Sequence, residues 1–262
     1  MARFPPRAEL GSSSAVHTEA VAQLIREAFA DRPAYDTAVS RAILERVARD
    51  ELHETVRLAR PGAMVAFGKQ DVSSAGYAKA ARAARDHGFE TVRRLAGGRA
   101  AVFHEHTVAF AWAQRNHDPW PGTHDRFRQI AGALERALQT LGVDARTGQV
   151  SGEYCPGEYS INARGRTKLA GLGQRIIKGA SHIGGVIVVG DSARVREVLI
   201  PVYAALGLAW DPQTTGSIED EIGPVAFEDV VAAIRAELPP LEEASLDQAT
   251  LALAETLEPE HR

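Results

Sequence analysis

The chain has 262 residues, and 30 Lys and Arg against 34 Asp and Glu give it a formal net charge of −4. Nucleic-acid-binding domains carry a marked excess of basic residues, so this charge argues against that class. The single cysteine, Cys155, excludes an intramolecular disulfide and a cysteine-rich zinc site. A function of Cys155 would therefore be that of a free thiol.

The sequence shows no apolar N-terminal segment typical of secretory signals and no run of about 18 apolar residues. Together with the lack of a disulfide framework, this favours a cytoplasmic protein with no membrane segment. Residues 1–14 are rich in Pro and Ser, and we expect them to be loosely ordered. Because no linker divides the remainder, residues 15–262 are predicted to form a single domain that ends in helices.

Apolar residues at helical spacing predict a first helix over residues 16–30. A second helix is predicted to begin after Asp36, a residue type that often serves as an N-cap. The elements predicted after these two are, in chain order, a strand at 63–67, a helix at 75–87, strands at 91–95, 99–103 and 107–113, a helix at 126–141, strands at 159–163, 167–169, 173–177 and 185–189, and helices at 193–206, 227–237 and 246–257. Because the strands run consecutively and helices bracket them, we predict an α+β fold with a mixed, largely antiparallel β-sheet flanked by helices.

An arginine- and glycine-rich segment lies between the strands predicted at 91–95 and 99–103. It reads Arg93-Arg94-Leu95-Ala96-Gly97-Gly98-Arg99, and His104 follows at the end of the second strand. Paired glycines let a backbone approach a ligand closely, and arginines bind phosphate or carboxylate groups. A tight β-hairpin with exposed arginines is the simpler explanation on composition alone.

Cys155 lies in a turn-rich segment, Gly152-Glu-Tyr-Cys-Pro-Gly157, rather than in an apolar run. A thiol in a loop beside cations can have a lowered pKa and act as a nucleophile, although a lone loop cysteine is more often incidental. Lys168 follows among small residues, where a half-buried ammonium could reach a carbonyl group. The alternative is an ordinary lysine on an edge strand, where it blocks sheet pairing.

These two segments match motifs of a known superfamily. The motif Arg-Arg-x-x-Gly-Gly-x-x-x-Val-x-His is matched by Arg93, Arg94, Gly97, Gly98, Val102 and His104. The motif Gly-x-x-Lys-x-x-Gly-x-x-Gln is matched by Gly165, Lys168, Gly171 and Gln174. From about Asp36 to Leu257 the chain thus resembles the biotin/lipoate protein ligase and octanoyltransferase superfamily. Its cysteine-dependent members carry their nucleophile just upstream of the second motif, where Cys155 stands.

The resemblance implies a mixed β-sheet with a tunnel for an eight-carbon acyl chain and a cleft for a small carrier domain. It implies catalytic roles for Cys155 and Lys168, and we expect the ammonium to stabilise the thiolate. Residues expected to bind substrate are Arg93, Arg94, Gly97, Gly98, His104, Gly171 and His182. Of these, the two glycines are expected to line the acyl tunnel and the first histidine to lie near the reacting centre.

Three functions remain open at this point. The first is an acyltransferase that moves an octanoyl or lipoyl group, through a Cys155 acyl-enzyme, onto a lysine of a lipoyl domain or glycine cleavage H protein. Its donor would be octanoyl acyl carrier protein or lipoate, and it would need no cofactor. The second is an ATP-dependent lipoate–protein ligase that forms a lipoyl-adenylate with ATP and magnesium. The third is a non-catalytic relative that binds an acyl ligand or a carrier.

Departures from the usual ligase pattern favour the transferase. Arg99 stands where ligases often have a third glycine, and Glu105-His106-Thr107 follows the motif histidine where ligases typically show Asp-x-Gly-Asn. His106, His117 and His124 lie near one another in the sequence but show no spacing typical of metal ligands, so we expect no metal site. We also expect a monomer without nucleic-acid or membrane partners.

Overall fold

The computed structural model describes residues 21–262. Residues 1–20, which include the segment predicted to be loosely ordered, lie outside the described residues. The strands of the described part are Ala22–Ile25 (β1), Thr55–Ala59 (β2), Met64–Phe67 (β3), Glu90–Arg93 (β4), Ala101–Phe103 (β5), Thr107–Arg115 (β6), Ala145–Thr147 (β7), Ile161–Ala163 (β8), Thr167–Ile177 (β9), Ala180–Val188 (β10) and Leu241–Glu243 (β11). Its α-helices are Pro33–Ala48 (α1), Lys69–Val72 (α2), Tyr77–Asp86 (α3), Thr123–Thr140 (α4), Ser192–Leu206 (α5), Ile218–Ile222 (α6), Phe227–Ala236 (α7) and Gln248–Leu257 (α8).

Two sheets organise these elements. Eight strands form the larger sheet, in the order β11-β1-β2-β6-β10-β9-β8-β7. From β2 to β7 the neighbouring strands pair antiparallel, whereas β1 pairs parallel with both β2 and β11. The smaller sheet has the order β4-β3-β5. The prediction of an α+β fold with a mixed, largely antiparallel sheet flanked by helices is confirmed.

Helices cover the apolar surfaces of the larger sheet. Leu134 of α4 and Val230 of α7 share a buried core with Phe110, Trp112 and Ile183 of the central strands. A second core joins α1 and α8, and a third joins the smaller sheet to α3 and α5. This arrangement leaves the space between the two sheets for the cavity described below.

Two predictions about the first elements are wrong. The described part of the helix predicted at 16–30 contains β1, because its main chain pairs with β2 and β11. Periodicity alone does not distinguish helix from strand in so short an apolar segment. Asp36 is also not the N-cap of α1, since this helix begins at Pro33. The Asp36 carboxylate instead binds the buried guanidinium of Arg57.

The segment containing Gly97 and Gly98 is not the turn of a hairpin. Both β4 and β5 pair with β3, which lies between them, so the segment connects two strands that are not neighbours. The loop can therefore approach the larger sheet, where Gly97 N–H donates to Gln174 O of β9 at 3.4 Å. Strand β9 itself was predicted as two strands, but residues 170–172 pair with β10 and make it continuous.

The other predicted helices and strands are present with shifted ends, whereas β2, β7, β11, α2 and α6 were not predicted. Gly165 and Gly179 turn the chain before and after β9, with φ angles of +71° and +90°. None of the helices in residues 21–262 combines the length and the apolar character needed to cross a membrane.

Candidate active site

Cys155 lies in the loop between β7 and β8, in a left-handed backbone conformation with a φ angle of +42°. This conformation costs about 1–2 kcal/mol for a residue that has a Cβ atom, so tertiary contacts must hold it. The Cys155 N–H donates to the Tyr203 hydroxyl at 2.8 Å, and that hydroxyl donates to Ala100 O at 3.0 Å. Helix α5 and the residue before β5 thereby fix the position of the cysteine.

Two donors from the arginine–glycine loop reach the Cys155 sulfur. The Arg99 N–H donates to Sγ at 3.2 Å, and Nη1 of Arg94 does so at 3.6 Å. The same Nη1 donates to Arg99 O at 2.8 Å, which holds the guanidinium beside the thiol. Gly98 has a φ angle of +116°, and a Cβ atom there would lie only 2.9 Å from Sγ. The loop thus offers a thiolate one backbone dipole and one fixed positive charge.

Lys168 is buried on β9, between β8 and β10, with 1% of its surface exposed. Its Nζ donates to Cys155 O at 2.7 Å, to Tyr154 O at 3.0 Å and to Glu153 Oε1 at 3.2 Å. An ammonium group has three protons, so these acceptors take all of them. Burial lowers the pKa of Lys168, and electrostatic interactions with Cys155 and Glu153 oppose that shift. Lys168 is therefore not an edge-strand lysine, and its hydrogen bonds hold the backbone around the thiol rather than the sulfur.

Glu153 is the buried partner of Lys168 and was not singled out from the sequence. Its carboxylate also accepts hydrogen bonds from Ser160 Oγ at 2.7 Å, Gly157 N at 3.0 Å and Val150 N at 3.1 Å. These contacts compensate the burial of its charge and tie the loop on both sides of the cysteine to β9. No sequence motif marks Glu153, because its partner is set by the fold.

An apolar space of about 90 Å³, which we call the inner cavity, lies beside Cys155 between the two sheets. Its floor belongs to the larger sheet and includes the small residues Ala59, Ala109, Ala111, Gly171 and Gly184. Its cover includes Met64, Ala66, Leu95, Ala101 and Phe103. A mostly apolar cavity bordered by a thiol and by the Lys168 ammonium suits the tail of an acyl group.

Cys155 also borders a more open depression of about 440 Å³, which we call the outer groove. The other residues that line it are Gly97, Gly98, Trp120, Thr123, Phe127, Pro156, Leu172, Gly173, Gln174 and Ile176. The Trp120 side chain is 68% exposed, which is uncommon for a large aromatic residue. Because Cys155 lines both spaces, it stands where the inner cavity meets the outer groove.

The predicted substrate-binding residues fall into three groups. Arg94, Gly171 and His182 line the inner cavity. Gly97 and Gly98 line the outer groove instead of the acyl tunnel in which they were expected. The third group, described next, lines neither of these two spaces.

Arg93 and His104 form this third group. The Arg93 side chain is exposed, and its carbonyl accepts a hydrogen bond from Nδ1 of His261 at 2.7 Å. His104 is buried in the turn between β5 and β6, where its Nδ1 accepts from His106 N at 3.2 Å. Burial lowers the pKa of His104 to about 4, so its imidazole is neutral near pH 7. The expected place of His104 beside the reacting centre is not observed.

His182 stands in the wall of the inner cavity as a neutral imidazole. Burial lowers its pKa to about 3, and the positive charges of Arg57, Arg175 and Arg94 act in the same direction. A Cβ atom on Gly184 would lie 2.5 Å from Nε2 of His182, so this glycine makes room for the ring. Within residues 21–262, the His, Cys, Asp and Glu side chains form no group of three or more that could hold a metal ion.

The family model of the lipoyl protein ligase A/B catalytic domain matches residues 32–255. The chain belongs to this family. An octanoyl-[GcvH]:protein N-octanoyltransferase from Geobacillus kaustophilus is 26% identical over 235 residues, which covers 89% of this chain and 76% of the relative. An enzyme of the same name from an Exiguobacterium species is 24% identical over 64% of this chain. That match spans 63% of the relative, which is less than two thirds of its length.

Solved structures share the fold at low sequence identity. A lipoate-protein ligase A bound with ATP has a TM-score of 0.73 and 18% identity, and the match covers 92% of this chain and 95% of the other. A putative lipoate protein ligase from Thermoplasma acidophilum with bound lipoic acid has a TM-score of 0.72 and 18% identity, with 92% and 96% covered. The family match, the octanoyltransferase relatives and this shared fold together confirm the predicted resemblance to the biotin/lipoate ligase superfamily.

Proposed function

We propose that this protein is an acyltransferase that moves an octanoyl or lipoyl group onto a lysine of a lipoyl carrier domain through a Cys155 acyl-enzyme. The observation that carries the proposal is the position of the Cys155 sulfur. It lies at the junction of the inner cavity and the outer groove and accepts hydrogen bonds from Arg99 N–H and Arg94. An acyl chain in the cavity would present its carbonyl carbon to the thiol, while a carrier approaches from the groove.

In the first step the thiol gives up its proton and its sulfur attacks the acyl carbonyl of the donor. A thiol with an ordinary pKa of about 8.5 is mostly protonated near pH 7, so stabilisation of the thiolate raises the rate. Arg94 and the Arg99 N–H supply that stabilisation. A carbon–sulfur bond forms, the bond between the acyl carbon and the donor carrier breaks, and the donor leaves with the proton.

In the second step the amine of the acceptor lysine attacks the thioester carbon from the outer groove. The amide bond forms, the carbon–sulfur bond breaks, and one proton of the amine returns to the sulfur. The apolar residues of the groove, Trp120 and Phe127 among them, suit the aliphatic part of a lysine side chain. Lys168 is a positioning residue here, because it binds the Cys155 carbonyl and so supports the left-handed backbone at the nucleophile.

The names of the curated relatives support this proposal. They describe an octanoyl-[GcvH] donor and a protein acceptor. We therefore propose octanoyl-[GcvH] as a donor besides octanoyl acyl carrier protein, and a lipoyl domain or H protein as acceptor. We further propose that residues 15–262 act as one catalytic domain, in a monomeric cytoplasmic enzyme that needs neither ATP nor magnesium for transfer.

Intact-mass analysis tests the proposal against ATP-dependent ligation and against mere binding. The enzyme is incubated with octanoyl-[GcvH] or octanoyl acyl carrier protein, then with an unmodified lipoyl domain. We expect one octanoyl adduct on the wild type, none on Cys155→Ala, and transfer to the lipoyl domain without ATP. An adduct that survives Cys155→Ala would refute the assignment of the nucleophile. Modification that requires lipoate, ATP and magnesium and is indifferent to Cys155→Ser would establish the ligase instead, and ligand binding without any transfer would establish the non-catalytic relative.

A further inference from the structure

The register of the larger sheet sets the direction of the inner cavity. Arg57 of β2 pairs with Ala111 of β6, which pairs with Gly184 of β10, which in turn pairs with Gly173 of β9. These residues form one transverse row, and the neighbouring row, which starts at Ala59, also consists mostly of small residues. From β9 to β2 there are three strand spacings of about 4.8 Å each, so the row is about 14 Å long.

The reacting end of both rows lies at β9. A Cβ atom on Gly171 would meet Cε of Lys168 at 3.1 Å, and one on Gly173 would meet Nη2 of Arg94 at 3.0 Å. Both of these side chains contact Cys155. The opposite end of the row, at β2, is Arg57.

Arg57 lies at that far end, and its guanidinium is firmly held. Its side chain is 5% exposed and pairs with Asp36 Oδ1 at 2.7 Å. Its other acceptors are Asp36 O at 3.1 Å, Ser40 Oγ at 2.7 Å and Glu27 O at 2.7 Å. A ligand that pushed the guanidinium aside would leave the Asp36 carboxylate buried without its partner, which is strongly unfavourable.

The length of this row can be compared with the length of an acyl chain. An extended chain with C–C bonds of ~1.5 Å advances ~1.3 Å per bond, so eight carbons span ~9 Å and twelve span ~14 Å. Eight carbons would therefore leave about 5 Å of the row for the Arg57 side chain, whereas twelve would need the whole row.

We propose that the Asp36–Arg57 ion pair determines the acyl-chain length that this enzyme accepts, by closing the inner cavity beyond about eight carbons. The proposal rests on the proposed function for the identity of the ligand, but it concerns the cavity and not the reaction at Cys155. It assigns a specificity role to two residues that lie on α1 and β2, away from both sequence motifs.

Calorimetric binding of fatty acids with six, eight, ten and twelve carbons to the Cys155→Ser enzyme tests this role without any transfer. We expect affinity to rise about fourfold per methylene up to eight carbons and to fall at least about tenfold at twelve. In the double variant Asp36→Asn/Arg57→Gln the pair is neutral and the far side chain is shorter. We expect the ratio of twelve-carbon to eight-carbon affinity to increase at least about tenfold there.

A second cavity variant and a control variant outside the cavity complete the test. Ala111→Val narrows the middle of the row and should shift the preference from eight to six carbons, even if the double variant fails to fold. Asp247→Asn/Arg46→Gln makes the same chemical change in an ion pair between α1 and the N-terminus of α8, away from the inner cavity, and should leave the preference unchanged.

Equal affinity of the wild-type cavity for eight and twelve carbons would overturn the proposal. So would an unchanged preference in both cavity variants, or no binding of any of the four acids. These results are separate from the fate of the proposed function. A length limit that holds in an enzyme that never forms an adduct on Cys155 would refute the acyl-enzyme and leave the role of Asp36 and Arg57 standing.

Discussion

Replacement of Gly98 by alanine tests whether the arginine–glycine loop activates Cys155. Gly98 has a φ angle of +116°, and an alanine Cβ atom would lie 2.9 Å from Sγ of Cys155 and 2.7 Å from Nη1 of Arg94. Ordinary van der Waals contacts begin at 3.4 Å, so these two groups must move apart from the new atom by 0.5 and 0.7 Å. The movement separates the sulfur from the donors that stabilise its anion.

This geometry sets the expected change in stability and in acylation rate for Gly98→Ala. The left-handed backbone adds about 1–2 kcal/mol of strain for alanine, which should lower the melting temperature by a few degrees. A displacement of about 1 Å at a reacting group can lower a rate by about a hundredfold. With shifts somewhat below that distance, we expect acylation of Cys155 to slow by about 10- to 100-fold.

Single-turnover acylation, followed by intact mass at successive times, measures this rate. Gly97→Ala is the matched control, because a Cβ atom on Gly97 would meet nothing within 4 Å and its φ angle lies outside the left-handed region. We expect the control to acylate within about threefold of the wild type, since neither strain nor collision arises. If Gly98→Ala acylates Cys155 at the wild-type rate, or if both variants slow acylation equally, the loop does not activate Cys155.

Other variants probe the remaining parts of the site. Lys168→Met should lower the free energy of unfolding in urea by about 3–5 kcal/mol, because it leaves the buried Glu153 carboxylate without its cation. Adding Glu153→Gln should recover much of this loss. Strictly additive effects of the two substitutions would contradict the pairing. The lowered pKa values of His104 and His182, about 4 and about 3, mean that the unfolded chain binds more protons between these values and about 6.5. Stability should therefore fall as the pH drops from 6.5 towards 4, and His182→Gln should flatten that slope, whereas an unchanged slope would show that His182 is not buried as a neutral group. Trp120→Ala should raise KM for the acceptor carrier several-fold with little change in acylation of Cys155, and an equal effect on both steps would argue against entry of the acceptor through the outer groove.

In the structure, Lys168 and Arg94 have different roles beside Cys155 from those expected from the sequence. From the motif alone, Lys168 was expected to stabilise the thiolate directly. Its three hydrogen bonds go instead to Glu153 and to the Tyr154 and Cys155 carbonyls. The contacts to sulfur come from the other motif, through Arg94 and the Arg99 N–H. The two motifs therefore cooperate, since one supports the backbone of the nucleophile and the other surrounds its sulfur.

Much of the fold could be predicted because the signals are local. The periodicity of the long helices, such as α4 and α5, depends only on residues a few positions apart. The left-handed turns at Gly165 and Gly179 likewise follow from the residue type. Predictions for short segments were less accurate. Strand β1 was predicted as helix, because its conformation depends on backbone pairing with β2 and β11.

The sequence by itself determined the family, the thiol and the two motifs that surround it, because each is written in a short run of residues. Only the tertiary structure decided which side chains meet. Glu153 pairs with Lys168, Asp36 pairs with Arg57 across 21 positions, and His104 lines neither the inner cavity nor the outer groove despite its place in a motif. Such partners depend on strand order and register, which a local pattern does not specify. The physical reason is that a buried charge takes whichever partner the folded chain brings within hydrogen-bond distance.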